Sequence, residues 1–255
     1  MARPGPGLRL GRRFNGPPGA ANGGYACGAF AALLGQDAAA EVTLRRPIPL
    51  ERSLVARSDG DGGLVVDDEG TLLAEVRRPP AEVELAAPAV SLERARAVAG
   101  RSRYYEDPVL PGCFGCGPAR APGDGLRIFP GRLAGEELWA APWTPDPSVA
   151  GADGTVRPEV VWAALDCPSG IAAIEVAALP GDTAAVLGRM TTRLGGMPRA
   201  GDDCRVVAWP GGRDGRKLAA SAALLGPGGE VLAAASTVWV TVPRQSLQPP
   251  AGAAS

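Results

Sequence analysis

Asp166 stands inside the apolar run "VVWAALDCPSGIAA", residues 160–173, next to Cys167 and two residues before Pro168. A carboxylate among valines, alanines and a tryptophan is costly unless it is partnered or used. Three placements are open to it. "VVWAAL" can be a strand, with Asp166 or Cys167 capping a helix that starts near Pro168. A helix can instead run from about Glu159 through Asp166, with Pro168 kinking or ending it and freeing the carbonyl of Ala164. Asp166 can also lie on the polar side of an amphipathic helix. Val161, Ala164, Leu165 and Ile171 share one helical face, which favours the helix. Within such a helix, wrapped by a sheet, the carboxylate is desolvated and its pKa rises unless donors compensate. It can then deprotonate a water or attack an acyl carbon.

Two further stretches carry chemistry. "NGG", Asn22–Gly24, opens a small apolar run, and glycines at a helix start let a ligand approach first-turn N–H groups. Those N–H groups and the helix dipole stabilise a developing oxyanion; the plain alternative is a tight turn with an Asn cap. "CFGC", Cys113–Cys116, has the spacing of half a zinc site. No second CxxC exists, and Cys27, Cys167 and Cys204 stand apart in the chain, so a structural role is expected and no metal. "GPPGAANGG" and "PGDG" lack the Lys and Ser/Thr of a phosphate loop. Arg45/Arg46, Arg77/Arg78 and Arg101/Arg103 are placed to meet phosphates or, by default, solvent.

There is no histidine in the 255 residues. Imidazole-based triads and dyads and His-ligated metals are therefore excluded. Proton chemistry falls to carboxylates, tyrosine, cysteine or water. The chain is 45% hydrophobic with net charge −1, which gives a globular core and no pull toward nucleic acid. Only Lys217 among the 26 basic residues is a lysine, a compositional bias rather than a functional one. No run approaches the ~18 apolar residues of a membrane span, and the N-terminal stretch lacks the apolar middle of a secretory signal. A soluble cytoplasmic protein is expected. Five cysteines, an odd number, do not make a disulfide scaffold.

These groups need elements to hold them. Residues 79–112 are rich in proline and charge and read as a connector with one short helix near Ser91–Ala99. On each side a helical run precedes strand-like runs. "NGGYACGAFAALLG" leads to "AEVTLRRPI", "RSLVARSDG", "GLVVDDEG" and "TLLAEVRRP". "VRPEVVWAALD" leads to "AVLGRMTTRL", "DDCRVVAWPGG" and "KLAASAALLGPGGEVLAAASTVWVTVPR". "DDEGTLLAEV" matches "GPGGEVLAAASTVWV" as a glycine-turned hairpin, and "VTL" at 42–44 matches "MTT" at 190–192. A helix and an antiparallel meander, present twice, argue for an α+β fold with internal duplication. The division is 1–85, a connector over 86–112, 113–244, and a disordered tail over 245–255.

"NGGYACG", "CFGCGPARAPGDGLRIFPG" and "VVWAALDCPSG" resemble, in turn, the helix start, first-strand region and central helix of hotdog-fold acyl-CoA thioesterases. Across most of the chain the arrangement is similar to the tandem, double-hotdog medium-chain members. The resemblance implies two units, each an antiparallel sheet wrapped around a central helix, and hydrolysis of an acyl-CoA or acyl-carrier thioester without cofactor. It implies Asp166 as base or nucleophile, with Asn22 in place of a family histidine and Gly23 and Gly24 polarising the carbonyl. An Asp, a Thr and a Gln hold the water in that family. Asp166 and Thr191/Thr192, Thr192 foremost, fit the first two, and Trp239 stands where the glutamine is sought. Aligning Asn22 with Arg157 sets Ala31 against Asp166, so one composite site is expected and its mate is empty. The alternative is a non-catalytic acyl-thioester binder; a homodimer is the default assembly.

Overall fold

The computed structural model describes residues 4–33, 35, 39–59 and 62–248. Strand β1 is Pro4–Leu8 and helix α1 is Gly23–Leu33. Four strands follow: β2 (Ala39–Leu44), β3 (Leu54–Asp59), β4 (Gly62–Asp67) and β5 (Leu72–Arg77). The connector holds α2 (Leu92–Val98), capped by Ser91 Oγ accepting from the Arg94 N–H at 3.2 Å. Beyond it come β6 (Gly131–Arg132), β7 (Trp139–Trp143) and α3 (Pro158–Ala177). The chain then runs through β8 (Thr183–Leu194), β9 (Cys204–Asp214), β10 (Lys217–Leu225) and β11 (Val231–Pro243).

The strands form one antiparallel sheet in the order β1-β3-β4-β5-β2-β8-β11-β10-β9-β7-β6. Read outward from the β2–β8 pair, the two halves have the same order: β5, β4, β3, β1 on one side and β11, β10, β9, β7 on the other. Val42 lies directly opposite Met190 across that pair, so the two stretches matched in sequence meet at the centre of the sheet. The hairpins matched in sequence are β4–β5 and β10–β11, with Gly70 and Gly229 taking the positive φ their turns require.

The sheet curls around α1 and α3, which pack on each other. α3 lies against β7–β11, and α1 against β2 and β8. Gly24 and Gly28, one turn apart, make the helix contact possible. A Cβ on Gly24 would sit 2.6 Å from Asp166 Cβ and Trp162 O; one on Gly28 would sit 2.6 Å from Glu159 Cα. The outer face of the second half is covered as well, because Val90 and Ala95 pack with Leu138, Val207 and Ala223 in a smaller second core.

Four expectations need correction. Pro168 neither ends α3 nor marks its start; the helix continues through it for 20 residues in all. That helix is also long and apolar enough to cross a bilayer by length and composition, contrary to the reading that no run approaches this. It is instead a core helix, buried continuously from Val160 to Ala173. Residues 113–130, expected near a first strand, form turns, with β6 only at Gly131–Arg132. The stretch taken as a tail from 245 begins in a 3-10 turn, Arg244–Leu247, with Leu247 buried; residues 249–255 lie outside the described residues.

Candidate active site

Asp166 points from the middle of α3 at the N-terminus of α1. It is 2% exposed, which removes the surface placement, and it lies inside the helix, which removes the cap. Its Oδ2 accepts from Asn22 Nδ2 at 2.8 Å and from the Gly24 N–H at 3.0 Å. Asn22, also 2% exposed, is held from the other end: its Oδ1 accepts from the Tyr25 N–H at 2.9 Å. That bond caps α1 and fixes which end of the amide faces the carboxylate. The Asn22–Asp166 contact therefore joins groups 144 residues apart in sequence.

The start of α1 is pinned by its surroundings. The Asn22 N–H donates to Phe14 O at 2.7 Å, and Phe14 stacks on Tyr25 with ring centroids 3.8 Å apart. Phe114 meets both rings edge-on, and its N–H donates to Asn15 O at 2.8 Å. Those contacts bring the 113–117 turn over the carboxylate. Behind Asp166, Ser169 Oγ donates to the Asp166 carbonyl at 2.7 Å. Trp239 Nε1 donates to Ser169 Oγ at 3.1 Å and to Thr237 Oγ1 at 3.2 Å. Gly170 leaves room for that indole; a Cβ there would lie 2.5 Å from the ring.

Burial pushes the Asp166 carboxyl up to about 7. The Gly24 N–H and the Asn22 amide pull the other way, and the nearby Cys113 adds to the rise. One oxygen, Oδ1, is buried without a partner. A buried carboxylate oxygen with no donor among the described residues is free to accept a proton.

Asp166, Asn22, Gly23 and Gly24 are thus brought together, with one change of role. The Gly24 N–H holds the carboxylate rather than facing a substrate, and Gly23 is the remaining first-turn N–H of the set. Thr192 is not joined to them. It is buried on β8 opposite Ala40 and Ala235, and its hydroxyl has no hydrogen-bond partner. Thr191 reaches Glu41 at 3.3 Å. Arg45 and Arg77 both pair with Glu75 on the surface.

Cys167 is not isolated in space. Its Sγ lies 3.6 Å from Cys113 Sγ, and Asn22 Nδ2 is 3.8 Å from each. With Cys116 the three sulfurs lie within 4.8 Å of one another, all buried. Sequence separation hid this cluster; the only local signal was the "CFGCG" turn.

A scan against models of known families finds none that matches this chain, and no curated protein matches it by sequence. Solved structures do match in shape. A conserved protein of unknown function with a hot dog fold from Alicyclobacillus acidocaldarius is 10% identical with TM-score 0.58, covering 92% of each chain. The fold is a double hotdog. A TesB protein of Mycobacterium avium subsp. paratuberculosis is 12% identical over 93% of this double hotdog and 92% of its own chain, with TM-score 0.59. A protein of Novosphingobium aromaticivorans assigned as a thioesterase is 13% identical over 92% and 94%, with TM-score 0.57. In this double hotdog Asp166 of α3 meets the start of α1.

Proposed function

We propose that this protein hydrolyses acyl thioesters, with acyl-CoA or an acyl-carrier thioester as substrate, at one site between units 1–85 and 113–244. We read the two units as products of an internal duplication and the chain as cytoplasmic. The observation that carries the function is the Asp166 carboxylate held through one oxygen at the tip of the opposite helix, with its second oxygen unused. The thioesterase names of structural neighbours support the same reaction class.

In the reaction, Oδ1 takes a proton from water as its oxygen bonds to the thioester carbon. Asn22 and Gly24 keep the carboxylate aimed throughout, and the Gly23 N–H with the α1 dipole polarises the carbonyl. The C–S bond then breaks. Thiolate is a good leaving group, so a strong general acid is not needed and the missing histidine is no obstacle.

A second reading, a non-catalytic acyl-thioester binder, is favoured by Trp239. Its indole is packed on Gly170 and bonded to Ser169, where a water-holding glutamine is sought. Thiol release from acyl-CoAs of increasing chain length, measured with melting shifts on the same ligands, separates the two. Turnover supports the hydrolase. A melting shift without release supports the binder and removes the hydrolase.

A further inference from the structure

The three buried thiols beside Asn22 have no part in that hydrolysis, yet their surroundings are built in detail. Cys113 and Cys116 sit on one tight turn, closed by the Gly117 N–H donating to Cys113 O at 2.9 Å. A Cβ on Gly117 would lie 2.5 Å from Cys113 N and O and from Pro111 O; one on Gly115 would lie 2.9 Å from Cys167 Sγ. Only glycine lets the turn close this tightly and the third sulfur come this near. N–H groups aimed at sulfur stabilise a thiolate far more than a thiol. The Asn22 amide stands 3.8 Å from two of the sulfurs as such a donor.

We infer that Cys113, Cys116 and Cys167 form a binding site for a thiophilic divalent ion of the zinc class, with three thiolate ligands and one position for a non-cysteine donor. Spacing supports this. Zinc–sulfur bonds of about 2.3 Å at tetrahedral angles set sulfurs roughly 3.8 Å apart, against 3.6 Å between Cys113 and Cys167. A disulfide joins two sulfurs at about 2.05 Å and leaves the third unexplained. An all-sulfur set excludes hard ions such as magnesium or calcium. On binding, each thiol that becomes a ligand releases its proton to solvent, and a divalent ion with three thiolates carries one net negative charge. The Asn22 amide, 3.8 Å from Cys113 Sγ and Cys167 Sγ, faces that charge. Because the site is closed, the ion enters as the turn docks on α3.

The test uses the full-length protein and reads metal rather than hydrolysis. Elemental analysis after expression with zinc should find one zinc per chain. Cobalt titrated into the metal-free, reduced protein should give sulfur-to-cobalt charge-transfer absorption of a three-thiolate site. Cys116→Ser and Cys167→Ser should weaken cobalt binding more than about 100-fold, beyond what loss of an outer-shell partner costs. Asn22→Ala should weaken it by about 10–100-fold as such a partner, and Cys204→Ser should leave it unchanged. Reduced protein that takes up neither ion, or equal affinity in wild type and both serine variants, overturns the site. If a serine variant fails to fold, the charge-transfer intensity of the wild type alone decides. A spectrum without thiolate ligands also overturns it.

Discussion

α1 and α3 meet twice in this molecule, and the two junctions differ in almost everything but frame. At one, the tip of α1 receives Asp166, and Asn22, Gly24 and three thiols close around it. The equivalent positions at the other are the tip of α3 and Ala31. There Gly28, Ala31, Pro158, Trp162 and Met197 line a cavity of about 260 Å³. Arg157, the counterpart of Asn22, turns away, with its guanidinium 5.9 Å from the Phe14 ring centre and its Nε 3.8 Å from Glu159. Pro158, the counterpart of Gly23, has no N–H to offer, while Glu159 keeps the backbone N–H that corresponds to that of Gly24. The same helix geometry holds a bonded polar knot at one end and an apolar hollow at the other. A few side chains make the difference, so fold alone assigns no chemistry to either junction.

The comparison can be broken by substitution. Asp166→Asn preserves shape and removes the base; kcat/KM for thioester hydrolysis should fall by about 10²–10⁴-fold, the usual worth of a general base. A rate within a factor of two of wild type would sink the assignment. Ala31→Asp asks whether the second junction can host a carboxylate. With Arg157 and Pro158 standing where Asn22 and Gly23 do, it finds no side-chain amide like that of Asn22 to bond it. Denaturant unfolding should show a loss of about 1–3 kcal/mol or more, with no gain in hydrolysis. A stable variant with a second active centre would show that the frame, not the donor set, makes the site. Asn22→Ala should cost the least. About 1 kcal/mol of stability goes with the helix cap, and hydrolysis should drop about tenfold or more as the carboxylate loses its amide partner. Stability loss without a rate effect would make Asn22 a cap only.

Much of the frame was legible in the chain. The strands from β2 to β5 and β8 to β11 follow from β-rich runs between glycine turns, and the helix ahead of each meander follows from small apolar residues in the right order. β1, β6 and β7 were not seen, because short strands in proline- and glycine-rich stretches carry little pattern. Pro168 misled for a local reason. Proline removes one helix hydrogen bond, but a helix packed against the sheet along most of its length loses little by it. "NGG" was read through its exposed N–H groups, and half of its meaning is packing: Gly24 and Gly28 are glycines because another helix lies on them.

By itself the sequence determined the order and type of most of the main elements, the exclusion of imidazole chemistry and the presence of a carboxylate in an apolar run. Those depend on local periodicity and on which residue types exist at all. Only the tertiary structure decided that Asp166 accepts from Asn22 and Gly24, that Thr192 stands apart, and that Cys167 joins Cys113 and Cys116. Each of these depends on contacts between groups far apart along the chain. Such contacts are set by how two helices cross and how a turn folds over them, and no local pattern encodes that.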